Sequence, residues 1–172
     1  CTPSSPSCGA CPLAGECLAL ERGTVAERPP ARPARELPHR DIAVGVVWRT
    51  GRVLIARRPP EGLLGGLWEF PGGKVEEGEG TAGAVRRELH EEMDVEVEVG
   101  ALLDSVDHAY SHFRITLHAH HALLREGTPR ARSATAWRWA APEDLGDYAF
   151  PAANLRIIER LRAEGSPYAG GG

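Results

Sequence analysis

The chain has 172 residues, 42% of them hydrophobic and 26% charged, with a net charge of −4. That balance suits one ordinary globular domain with a small unit attached, able to bury a core without staples. No apolar run is long enough for a membrane-spanning helix, and the charge excludes binding to nucleic acid through overall basicity.

No signal-peptide pattern is present, and a chain opening at Cys1 without Met reads as a piece of something longer. All four cysteines, Cys1, Cys8, Cys11 and Cys17, stand in the first 17 residues. A disulfide framework scatters its cysteines, so this crowding points to metal or cluster ligation in a reducing, cytoplasmic setting. Four thiolates can hold an iron–sulfur cluster or a tetrahedral zinc, and both stay open on the residues alone. A short helical stretch is expected from Leu13 to Leu20, with Cys17 inside it. Residues 27–39 hold four prolines and read as an extended connector. The expected units are therefore 1–26, the connector 27–39, a main domain 40–166 and a flexible tail 167–172.

In the main domain, Ile42–Trp48 and Val53–Ala56 are short β-branched runs joined by Thr50-Gly51, a hairpin signal. Residues 62–66 and 72–80 read as Gly-rich loops. Thr81 to Met93 follows helical spacing, with Ala82, Val85 and Leu89 on one stripe. Val95–Leu103 and Phe113–Leu124 read as strands, Trp137–Ala140 as a last short one, and Leu155–Ala163 as a closing helix. His118, His120 and His121 are expected on a solvated strand face. Strands interleaved with two helices suggest an α+β sandwich.

Glu88, Glu91 and Glu92 span about 100° of the helix surface. A solvated acidic face is one explanation. The other is a site for Mg²⁺ or Mn²⁺, which relieves the repulsion and bridges to substrate phosphates. The stretch Gly73, Glu79, Arg87, Glu88, Leu89, Glu91, Glu92 and Val95 resembles the Nudix box, departing only where Asp94 replaces a glycine. Asp tolerates a left-handed backbone better than most residues. The resemblance implies an α/β/α Nudix sandwich, with Glu88, Glu91, Glu92 and Gly73 at the cation.

Glu69-Phe70-Pro71-Gly72-Gly73-Lys74 and Phe150-Pro151-Ala152-Ala153-Asn154 look like the 8-oxo-dGTP diphosphatase branch. By that resemblance Phe70 packs on the oxidised base, Asn154 reads its edge and Arg58 lies near the phosphates. Asn154 could equally cap the final helix. That branch also places a carboxylate beside the last strand, where Arg138 stands here.

A second resemblance covers almost the whole chain. The spacing C-x6-C-x2-C-x5-C is similar to the 4Fe–4S loop of endonuclease-III-type glycosylases. That loop, a connector and a Nudix-like domain follow one another in the MutY family of adenine DNA glycosylases. Tyr110-Ser111-His112 resembles the MutY loop that meets 8-oxoguanine, although a polar turn before a strand explains it too. This resemblance implies a monomer that reads 8-oxoguanine opposite adenine in double-stranded DNA, with the glycosylase's catalytic residues upstream of Cys1. The reading carried forward is this C-terminal region of an A/G-specific adenine glycosylase. Its alternative is a Mg²⁺-dependent hydrolase converting 8-oxo-dGTP to 8-oxo-dGMP and pyrophosphate. Either way the protein is expected to be a hydrolase.

Overall fold

Short segments rich in glycine and proline cannot propagate a helix, because each new turn must first be nucleated at a cost. The N-terminal unit of the computed structural model, which describes residues 5–27 and 37–168, follows that rule. It is a string of single turns: 3₁₀ turns Cys8–Ala10 and Ala14–Glu16, the one-turn helix α1 (Leu18–Glu21) and a last 3₁₀ turn Val25–Glu27. The continuous helix expected from Leu13 to Leu20 is interrupted at Cys17, whose backbone is extended (φ −88°, ψ 100°) and precedes α1. Gly15, a poor helix former, sits in the turn before the break. Most of the expected connector and the last four residues of the tail lie outside the described residues. The chain divides into two compact units, Cys1–Glu36 and Leu37–Gly172.

In the second unit the run after Asp41 is apolar on both sides of its alternation, as a strand covered on both faces requires. It forms β1 (His39–Arg49), the middle of a mixed seven-stranded sheet. β2 (Arg52–Arg57) returns antiparallel through Thr50 and Gly51, both at positive φ (45° and 73°), the two-residue turn that suits strand twist. Then come β3 (Trp68–Glu69), β4 (Gly72–Lys74), α2 (Thr81–Met93), β5 (Glu96–Ala109), β6 (Arg114–Glu126), β7 (Ala136–Ala140), a 3₁₀ segment Pro142–Asp147 and α3 (Ala152–Glu164). The sheet order is β3-β2-β1-β6-β5, with β4 on β1 and β7 on β2; β1 and β6 are parallel.

Helices cover both faces. Ala43 and Val47 pack with Val85 and Leu89 of α2. Val44, Val46 and Trp48 pack with Ile157, Ile158 and Leu161 of α3. Burying each such aliphatic side chain contributes about 1.5–3 kcal/mol. At Gly45 an added Cβ would stand 2.8 Å from Leu89 Cδ1, so α2 rests directly on the strand. The architecture is the expected α/β/α sandwich.

The double cover corrects the histidines. His120 and His121 are 7% and 5% exposed, not solvated. His120 hydrogen-bonds Thr81 Oγ1 (2.8 Å) and the Gly100 carbonyl, and His121 Nδ1 accepts from Trp48 Nε1 (3.0 Å). His118 is partly covered and bonded to Asp41 and Ser105. Burial pulls both His120 and His121 below the usual histidine value of 6.5. The unfolded chain therefore binds more protons than the folded one below that value, and stability is lost as pH falls through 6.5. Glu69 and Glu92, raised above 4.5, act in the opposite sense, losing stability as pH rises. The histidine contribution is isolated by comparing wild type with His121→Gln, which can still accept from Trp48. Urea midpoints at pH 7.5 and 5.0 should differ less in the variant; an equal difference would contradict the assignment.

Candidate active site

β1 serves two partners on one edge. Its C-terminal end pairs with β2, while Ile42, Ala43 and Val44 pair with Lys74, Gly73 and Gly72 of β4. At Gly72 (φ 151°) a Cβ would fall 2.2 Å from the Ala43 carbonyl, so only glycine lets the backbones approach this closely. At Gly73 a Cβ would fall 2.3 Å from the Glu88 carboxyl carbon, so that carboxylate lies directly over the glycine.

Arg87 organises the acidic helix. Its guanidinium donates to Glu79 (2.9 and 3.1 Å), to Glu88 (2.9 Å), to Glu91 (3.4 Å) and to the Lys74 carbonyl (2.9 Å). These bonds tie the loop leading out of β4 to α2. The Arg87 side-chain bond is the largest influence lowering Glu79, and it outweighs burial. Leu89 and Val95 turn into the core.

Glu88 is largely covered, whereas Glu91 is 57% exposed and turned toward Arg87. Glu92 faces the interior of the site: burial raises its pKa most, the charges of Glu88 and Glu69 raise it further, and Ser133 counters them. Glu69 is also raised, by burial, against the lowering effect of Arg58 at 2.7 Å. Among the described residues no three His, Cys, Asp or Glu side chains stand close enough together to hold a metal as they are. The carboxylates of Glu88, Glu92 and Glu69 carry oxygens of the hard kind that a divalent cation takes.

Beside this acidic corner lies a cavity of about 280 Å³. Arg58, Glu69, Gly73, Tyr110 and Asn154 all line it. Phe70 also belongs to its wall, but the ring is fully buried and packs on Phe150 at 5.6 Å. Tyr110 stacks on Phe113 (4.7 Å), and the Arg40 guanidinium lies 5.5 Å from the Phe113 ring centre. Ser111 and His112 occupy the exposed turn closed by the Tyr110 N–H donating to the Phe113 carbonyl (2.8 Å).

Asn154 is 7% exposed, and its Oδ1 has no hydrogen-bond partner. The helix-capping explanation for it fails. Pro151 is the N-cap of α3, no side chain caps that end, and Asn154 lies three residues in. Arg58 is engaged by Glu69 and the Leu63 carbonyl. Arg138 is exposed on β7 opposite Ile55.

Two members of the site escape sequence reasoning. Glu69 owes its position to the β2–β3 pairing (Ala56 with Glu69), and Ser133 to a loop remote in sequence. The one signal available for Glu69 is its place directly before Phe70-Pro71-Gly72-Gly73. In the N-terminal unit Cys8, Cys11 and Cys17 are half-buried free thiols, and Cys1 lies outside the described residues. Among the described residues no helix is long and apolar enough to cross a membrane.

Comparison with known proteins bears on both units. A NUDIX domain model matches residues 43–160, and a model of the iron-sulfur binding domain of endonuclease III matches residues 1–17. A CTP pyrophosphohydrolase of Escherichia coli K12 is 36% identical over 123 residues, covering 72% of this chain and 91% of its own. An 8-oxo-dGTP diphosphatase of Proteus vulgaris is 46% identical over 77 residues, covering 44% and 69%. The solution structure of the E. coli ORF135 protein superposes with a TM-score of 0.66 at 34% identity, over 77% of this chain and 94% of that one. An adenine DNA glycosylase of Rattus norvegicus is 25% identical across 92% of this chain, which spans 39% of that protein.

Proposed function

The chain belongs to the NUDIX family, and on that premise we propose that its main unit is a divalent-cation-dependent hydrolase of 8-oxo-dGTP. Water adds across the bond between the α- and β-phosphates, releasing 8-oxo-dGMP and pyrophosphate. This was the alternative in the sequence reading. It moves ahead of the glycosylase reading because hydrolase relatives match over most of their own length, whereas the rat glycosylase is matched over 39% of its length.

The observation that carries the proposal is Asn154, which lines the cavity with Arg58, Glu69 and Gly73 and whose buried Oδ1 has no hydrogen-bond partner. A buried carbonyl oxygen left without a donor costs about 1–3 kcal/mol, so a ligand that brings an N–H is favoured there. Guanine presents N7 as an acceptor, while oxidation at C8 turns N7 into a donor. Tyr110 and the buried Phe70 give the base apolar walls.

Glu88 and Glu92, beside Gly73, would hold Mg²⁺ or Mn²⁺, which neutralises pyrophosphate charge and acidifies water. Arg87 fixes Glu88 and the loop carrying Glu79. Arg58, held at the cavity by Glu69, offers its guanidinium to the phosphates.

The test is a comparison of kcat/KM for 8-oxo-dGTP, dGTP and CTP in wild type and Asn154→Ala. Wild type should favour the oxidised nucleotide, and the variant should lose roughly tenfold or more of that preference. Faster turnover of CTP, or a preference untouched by the variant, would overturn the assigned substrate.

A second reading rests on the N-terminal match and on the rat relative. In it Cys1, Cys8, Cys11 and Cys17 hold a 4Fe–4S cluster within a DNA glycosylase. The NUDIX unit then reads 8-oxoguanine in duplex DNA through Tyr110, Ser111 and His112. Anaerobic reconstitution tests the cluster: about four irons per chain are expected, and zinc retained in place of iron would exclude it.

A further inference from the structure

The start of β1 puts a cation on an otherwise apolar face. Alternate strand residues share a face, so Arg40 follows Ile42 and Val44, and in the parallel pair with β6 it stands opposite Ile115. All four line the cavity. The neighbouring carboxylate, Asp41, takes the other face and bonds His118. Among the described residues the Arg40 guanidinium has neither an ion pair nor a hydrogen-bond acceptor.

What holds that guanidinium is a ring. It lies 5.5 Å from the centre of Phe113, which is stacked on Tyr110 at 4.7 Å, and both rings belong to the cavity wall. A cation is attracted to an aromatic face, and the contact uses none of the N–H donors of the planar fork. Arg58, by contrast, is engaged by Glu69 (2.7 Å) and the Leu63 carbonyl. Lys74, another unpaired cation on this cavity, carries a point charge rather than a fork. The cavity therefore joins an unmet planar donor, Arg40, to an unmet acceptor, Asn154 Oδ1.

We infer that Arg40 is a base-recognition residue, donating to a carbonyl oxygen next to the N–H that Asn154 accepts. This rests on the hydrolase reading and narrows its substrate class to nucleotides whose base carries an N–H beside a carbonyl. 8-Oxoguanine fits, because its N7–H lies between the C6 and C8 carbonyls. Adenine has no carbonyl to offer. The arginine fork is also the commonest partner of guanine O6 in base recognition.

Calorimetric titration of the full chain with 8-oxo-dGMP and with dAMP tests it, since the two share sugar and phosphate and differ in the base. Arg40 is exposed and its side chain bonds nothing, so its variants should fold. Wild type should prefer 8-oxo-dGMP. Arg40→Gln should lower that preference about tenfold, the scale of a charge-assisted hydrogen bond. Arg40→Lys should stay lowered, because an ammonium keeps the charge and loses the fork. An unchanged preference in Arg40→Gln, whether both affinities hold or fall together, would overturn the inference. Full recovery in Arg40→Lys would do the same, by pointing to a phosphate contact. Both outcomes leave the hydrolase reading standing. A wild type that prefers neither nucleotide would overturn the 8-oxo-dGTP reading, and the role of Arg40 with it.

Discussion

Replacing Glu92 by Gln is expected to lower pyrophosphate release from 8-oxo-dGTP by about 10²–10⁴-fold while leaving the protein folded. Burial, first, and then the charges of Glu88 and Glu69 oppose its ionisation and outweigh the favourable effects of Ser133 and Arg58. A cation is the natural counterweight, and its binding must displace any proton that Glu92 carries. Gln preserves the shape and removes the repulsion, so Tm should hold or rise. Glu88→Gln should behave similarly. Glu91→Gln should cost much less, because that side chain is exposed and turned toward Arg87. Equal losses at Glu91 and Glu92 would contradict this division of roles, as would normal turnover by Glu92→Gln.

The second large effect is expected at a residue with no side chain. In Gly73→Ala the new methyl would stand 2.3 Å from the Glu88 carboxyl, which must swing aside. Turnover should drop about 10²-fold, the scale of a 1 Å displacement at a reacting centre. The intruded atoms end a flexible side chain, so Tm should change little. Gly72→Ala makes the contrast: its methyl would meet the Ala43 carbonyl, a backbone atom at 2.2 Å, from an unfavourable φ. Loss of folding is expected there, read as a lowered Tm. A Gly73→Ala protein with full activity would show that Glu88 need not lie over the glycine.

What the sequence discloses and what it hides divide along physical lines. Helix α2 was legible from Thr81 to Met93, because its apolar stripe has a local period and its signature is local too. The same locality does not rank Glu88, Glu91 and Glu92. Three glutamates within about 100° look equivalent on a helical wheel, but Arg87 draws one outward while the sheet buries another. Glu69 is part of the site because β3 pairs with β2, a contact no local period announces. His118 and His120 alternate with apolar residues like any solvated face, and only the helix on each side of the sheet buries His120 and its neighbour His121. Asn154 had two local explanations, and the observed helix start at Ala152 removed one. The helix through Cys17 failed because single turns around Gly15 have too few residues to propagate.

The most direct test of the central claim is pyrophosphate release from 8-oxo-dGTP, measured with Mg²⁺ and again after EDTA, with dGTP alongside. Metal-dependent release that favours the oxidised nucleotide is the predicted result. A folded protein that releases no pyrophosphate from either nucleotide, with or without Mg²⁺, would contradict the hydrolase assignment.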